Sequence, residues 1–234
     1  MASDRMQTVT DPVQIGGYAV RVEVRPGDDP INSSGERAEA VFMTDSTGNF
    51  INENVSSGTQ YYAFSLQLPP DWVPPANDIH GLHWGICLQL HGPDTLDASP
   101  AFAFEVTNAF SVDVTTGDLD TPALKYSSFY TPLSDGSLNL GHWVDFVIGI
   151  RFAKDSTGSI TIWRRNEGQT QFTQVLALTN IPTLQYRSSQ GGVGSHYWKY
   201  GYYRADQTTV TTILNLGAIA RGTTFDNVVA TAFR

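Results

Sequence analysis

The 234-residue chain has one cysteine, Cys87, which excludes an intrachain disulfide and any cysteine-rich zinc site. Positive charge is also scarce, with 14 Lys and Arg against 23 Asp and Glu and a formal net charge of -9. Binders of nucleic acid or of membrane surfaces hold phosphate with an excess of cations, so this balance argues against both partners. No run approaches the roughly 20 apolar residues of a membrane span. The opening MASDRMQTVTDP has no apolar signal core, so a secretory signal either has been removed or never existed. Linker-like, low-complexity and repeated segments are missing, and no dozen residues keep a 3.6-residue apolar period. With 41% hydrophobic and 16% charged residues the chain can bury one sizeable core. The expectation is one domain over 1–234, with residues 1–12 loose and a monomer as the default.

What is present is a period of two. In AVRVEVR, Val20, Val22 and Val24 alternate with charged residues, and in YYAFSLQL, Tyr62, Phe64, Leu66 and Leu68 form one face. In LHWGICLQLH the same rule puts Leu82, Trp84, Ile86, Leu88 and Leu90 on one face and His83, Gly85, Cys87, Gln89 and His91 on the other. Further strands are expected in AFAFEVT, HWVDFVIGIRF, SITIWRR, YWKYGYYR and the C-terminal TTFDNVVATAF, separated by Gly-, Pro- and Asp-containing turns. LPPDWVPP at 68–75 reads as a loop, because proline cannot donate to an internal ladder. Many short strands rich in Gly and aromatics predict an all-β fold, an antiparallel jelly-roll sandwich of two sheets.

Charge is uneven along this pattern. Residues 1–140 hold five basic and 18 acidic side chains, whereas 141–234 hold nine basic and five acidic. The excess acid is expected on the convex surface and loops, leaving a locally basic groove.

Three short motifs carry candidate chemistry. Arg37 and Glu39 lie two apart and share a strand face, as do Gln89 and His91, and Tyr197 and Lys199. Arg and Gln suit the charge of a carboxylate and of an enolate-like intermediate. His, with an ordinary pKa near ~6.5, suits a base; Tyr, near ~10, suits an acid, or a base if Lys199 lowers its pKa. These roles match β-elimination of a polyuronate, in which the proton at C5 leaves and O4 departs.

At these residues the chain resembles a known group. Arg37-x-Glu39, Gln89-x-His91 and Tyr197-x-Lys199-x-Gly201 are similar to three motifs shared by the jelly-roll polysaccharide lyases, which include alginate lyases, glucuronan lyase and heparin lyase I. The heparin-lyase-I-like branch is resembled more closely, through RVEVRPGDDP with GERAEA, FSLQLPPDW, QLHGPD, GHWVDFVIGIRFAKDSTGSITIW and YWKYGYYR. The resemblance implies a β-jelly roll with the active site in the concave groove of one sheet, Gln89 and Arg37 at the substrate carboxylate, His91 as base, Tyr197 as acid or as both, and Lys199 in support. It departs from the alginate-lyase form at Val41, where a second Arg is usual, so carboxylate binding is shared differently. Arg204 has the opposite parity to Tyr197 and reaches the groove only through a bulge.

Each of these residues also has a plainer reading, as a solvated ion pair, a strand-end polar residue or a packed aromatic. Glu39, Arg204, His83 and His196 join the substrate-binding candidates, with Glu39 also a candidate for orienting Arg37. Asp118 and Asp120 read as a solvated loop. No HExxH spacing signals a metal site, no GxSxG elbow a serine hydrolase, and no Glu-x-Asp-x-Glu strand a paired-carboxylate glucanase. The expected activity is a cofactor-free, endo-acting, extracellular or periplasmic lyase on glucuronan or alginate. Dense sulfation would demand many more than 14 cations, which disfavours heparin-like substrates. The rival is a non-catalytic carbohydrate-binding or adhesive jelly roll, a virion component included.

Overall fold

Side chains that alternate between apolar and polar can satisfy both faces of a strand only when one face is covered, and here two sheets cover each other. The computed structural model describes residues 4–10, 17–30, 35–41, 43–217 and 219–233. Its strands in chain order are β1 (Met6–Val9), β2 (Ala19–Val24), β3 (Glu36–Val41), β4 (Thr59–Gln67), β5 (Gly85–His91), β6 (Phe102–Val106), β7 (Phe110–Asp118) and β8 (Lys125–Pro132). They continue as β9 (Trp143–Arg151), β10 (Gly158–Asn166), β11 (Thr173–Ile181), β12 (Gln185–Tyr186), β13 (Tyr197–Arg204), β14 (Thr212–Leu216) and β15 (Ala220–Gly222).

One sheet has the order β1-β2-β14-β4-β9-β10-β11, with β15 also on β4; the other has the order β12-β7-β6-β5-β13-β3, with β8 also on β7. All pairings are antiparallel except that of β12 with β7. This is the expected jelly-roll sandwich. The predicted apolar faces meet between the sheets, where Phe64 and Phe146 from one pack against Phe104 and Phe110 from the other at ring separations of 4.8–5.4 Å. Such pairs add about 0.5–1.5 kcal/mol each beyond area burial. Trp72, in the predicted 68–75 loop, packs on Tyr202 and donates its indole N–H to the Thr107 carbonyl.

Two expectations change. The C-terminal segment is not a strand: Phe225–Ala232 forms α1, an α-helix whose N-cap Thr224 accepts from the Asn227 amide. Its eight residues are too few to show a clear period in sequence, and the helix gains its stability by laying Val228 and Ala232 on the outer face of β4 and β9. Within the expected loose lead, Met6–Val9 forms the edge strand β1, and Arg5 pairs with Asp4 and Asp28.

Candidate active site

The groove lies on the outer face of the second sheet, and its geometry follows from register. On β13 and β5, Tyr197 stands opposite His91 and Lys199 opposite Gln89. On β3 and β13, Arg37 stands opposite Tyr203 and Glu39 opposite Gly201. Gly201 is required by this contact, because a Cβ there would lie 2.1 Å from the Ala38 carbonyl oxygen. A cavity of about 530 Å³ opens above these strands, and Arg37, Gln89, His91 and Lys199 all line it. Tyr197 flanks it, with its ring centroid 5.4 Å from that of His91.

Each side chain is held by its neighbours. The Arg37 guanidinium lies over the Tyr203 ring at 3.7 Å and its Nη1 is 3.7 Å from Glu39. Glu39 is buried, and its Oε1 accepts from Gln89 Nε2 at 2.5 Å. It does not line the cavity, and its contacts toward the groove run through Gln89 and Arg37. Burial pushes its carboxyl pKa up despite the Gln89 bond and the Arg37 and Lys199 charges. Val41, at the position of the missing second Arg, stands opposite Lys199.

His91 Nδ1 lies 2.7 Å from the Gly92 carbonyl oxygen, which can only accept. The proton is therefore on Nδ1, and the Nε2 lone pair is the basic site. Burial first, with the Lys199 and Arg37 charges, pulls the imidazole pKa below its ordinary value. Tyr197 donates its hydroxyl to Asp94 Oδ1 at 3.0 Å. Burial first, then the Asp94 hydrogen bond and charge, pushes its pKa up to about 12. The condition under which Tyr197 would serve as base, a pKa lowered by Lys199, is therefore not met: the Lys199 Nζ is 5.7 Å from the ring centroid, and its own pKa is pulled down by burial.

Three binding candidates lie elsewhere. Arg204 is fully buried on the side of Tyr202, with its Nε donating to Glu36 at 3.0 Å and its Nη1 to Thr212. The β13 bulge between Tyr200 and Tyr203 exists relative to β5, but β13 stays in continuous register with β3, so Arg204 keeps its core-side parity. His196 is also fully buried; its Nε2 accepts from the Gln185 amide at 2.9 Å and burial takes its pKa down to about 4. His83 precedes β5, bridges Asn77 and lines a separate cavity of about 370 Å³.

His83 lies off the groove because of a bulge. Between Ile86 and Leu88, β5 spends one residue more than β6, and both Cys87 and Leu88 enter the core. Parity inverts there. Gln89 and His91 face the groove as expected, but before the bulge it is Trp84 and Ile86 that line it, not His83, Gly85 and Cys87.

The same cavity contains residues that motif reasoning missed. Two rows cross the sheet. One runs Lys199, Gln89, Ala103, Asp113, and the other runs Arg37, Tyr203, Ile86, Glu105. Each passes from a cation to a carboxyl over three strand spacings, roughly 14 Å. The groove is therefore polarised, and the expectation that it is basic while the acid sits outside holds for one side only. Glu105 and Asp113 are signalled in sequence only as isolated acids inside otherwise apolar strands. Asp118 and Asp120, read as a solvated loop, instead tie down Arg187, Ser188 and Ser189.

Residues 2–220 match the family model described as polysaccharide lyase. A sequence comparison with curated proteins finds no match. Among solved structures, the endo-β-1,4-glucuronan lyase of the fungus Trichoderma reesei is similar at 17% identity, over 95% of this chain and 88% of that one, with a TM-score of 0.67. An alginate lyase of Pseudomonas aeruginosa is similar at 15% identity, over 96% and 88%, with a TM-score of 0.55. The marine alginate lyase of Zobellia galactanivorans is similar at 15%, over 96% and 83%, with a TM-score of 0.51. At such identities the likeness to these structures concerns the fold, while the family match spans every groove residue described above. The chain belongs to the polysaccharide lyase family.

Proposed function

We propose that the protein cleaves 1,4-linked uronate polymers, glucuronan or alginate, by β-elimination. The observation that carries this reading is the pairing of β5 with β13, which sets a neutral imidazole beside a protonated phenol at the edge of the cavity that Arg37, Gln89, His91 and Lys199 line. Arg37 and Gln89 bind the uronate carboxylate and stabilise the charge that spreads onto it; a single donor of this kind is worth about 2.7–4 kcal/mol in other enzymes. His91 Nε2 takes the proton from C5. The C5–H electron pair becomes the C4–C5 double bond, the C4–O4 bond breaks, and O4 takes the Tyr197 proton. Solvent then returns a proton to Tyr197 and removes one from His91. No electrons are exchanged with a cofactor in this scheme.

The raised Tyr197 pKa and the free Nε2 lone pair of His91 favour two separate proton carriers over Tyr197 as both acid and base. Uronate polymers of this kind lie outside the cytoplasm, and we place the enzyme there, extracellular or periplasmic. The test is absorbance from 4,5-unsaturated ends after incubation with alginate, glucuronan, hyaluronan and heparan. Signal on glucuronan or alginate is expected, and silence on every polymer overturns the reading in favour of a binding module.

A further inference from the structure

The end of the groove over β6 and β7 differs from the catalytic end in the sign of the charge that lines it. Asp113 lies at its floor, two strand spacings or roughly 10 Å from Gln89. Glu105, 1% exposed, lies one strand nearer, and its Oε2 accepts from the Gly85 amide. Around this floor stand Trp84, Phe129 and Tyr130, the latter two 56% and 42% exposed. Tyr130 takes φ of 50°, a conformation unusual for a bulky residue, and its amide donates to Asp113. Trp84 is held by its indole N–H on Asp78, which adds a third acid behind the wall. Among the described residues that line the cavity, the Lys and Arg side chains are Arg37 and Lys199, both on the far strands.

We propose that this end is a specificity-determining subsite for an uncharged sugar unit, so that the substrate is a uronate polymer whose charge is interrupted by neutral or esterified residues. The proposal rests on the lyase reading above and names its substrate class. A carboxylate placed here meets Asp113 with no cation to pair with; one like-charge contact at about 4 Å, even fully water-screened, weakens binding about fivefold. An uncharged sugar meets the opposite situation. Its hydroxyls donate to Asp113, and its apolar C–H face lies on the exposed aromatic rings. Burial, with the Asp113 charge, pushes the Glu105 pKa up to about 8, so at neutral pH this carboxyl largely retains its proton and Asp113 is the carboxylate that a sugar meets. Asp113 also has a raised pKa, through burial.

The experiment compares kcat/KM of the wild-type enzyme on fully ionised glucuronan and alginate with that on the same polymers after partial reduction of their carboxylates to primary alcohols. Partial reduction is expected to raise kcat/KM about fivefold or more, although it removes potential cleavage sites. The Glu105→Gln, Asp113→Asn double variant is expected to lower KM on the ionised polymer and erase the preference. Equal or better turnover of the ionised polymer by wild type overturns the proposal and leaves the lyase reading standing. If neither polymer is cleaved, the lyase reading falls instead. Calorimetric binding of ionised and reduced oligomers to the wild-type protein then decides the subsite: tighter binding of the reduced form upholds it, and equal or weaker binding overturns it.

Discussion

Replacing Asp94 by Asn tests whether the raised Tyr197 pKa has the origin assigned to it. The phenol donates to Asp94 Oδ1 at 3.0 Å, and its pKa stands at about 12 against an ordinary 10.0. An anion that accepts this hydrogen bond favours the protonated phenol, so its removal must lower the pKa. Burial contributes most and is retained in Asp94→Asn, so the fall cannot be complete. In the fully water-screened limit, a unit charge at this distance is worth about 1.4 kcal/mol, a tenfold change in the ionisation constant. The Tyr197 resonance of protein carrying carbon-13 tyrosine, identified by its absence in Tyr197→Phe, should therefore titrate about one pH unit lower in Asp94→Asn. The alkaline limb of kcat/KM should move with it, because a proton donor must hold its proton. A Tyr197 titration that stays in place or rises would refute the role given to Asp94.

Three further outcomes are expected. Tyr197→Phe should abolish turnover while oligosaccharide affinity by calorimetry stays near wild type, since the change removes a proton and little contact area; more than a few per cent residual activity would disprove the assigned acid. The acid limb of kcat/KM should have its midpoint below the ordinary histidine value of 6.5, because burial lowers the His91 pKa and the base must be neutral; a midpoint above 6.5 would point to another base. Arg204→Met should destabilise the fold by about 3–5 kcal/mol in urea titrations, as it strands the buried Glu36 carboxylate, and an unchanged midpoint would show that this ion pair contributes nothing.

Much of this protein is legible along the chain because the strand pleat has a period of two. That period alone places Tyr62, Phe64, Leu66 and Leu68 in the core and sets Arg37 with Glu39, Gln89 with His91, and Tyr197 with Lys199 on common faces. It also establishes the all-β class, and the sequence motifs already resemble the family to which the chain belongs. Pair spacing within one strand is a local property, and local properties survive without a fold.

What the tertiary structure decided depends on contacts between distant segments. The bulge at Cys87 and Leu88 arises from pairing with β6, and it inverts parity so that Trp84 and Ile86 replace His83 in the groove. Arg204 and His196 look like free polar side chains until Glu36 and Gln185 are seen to bury them. Asp94 reaches Tyr197 from 103 positions away, and Glu105 and Asp113 become one acidic wall only because β6 and β7 lie beside β5. Net charge could not reveal that wall. A charge count has no positions, whereas the field felt by a polymer depends on which strands place a cation and which place a carboxylate on the same face.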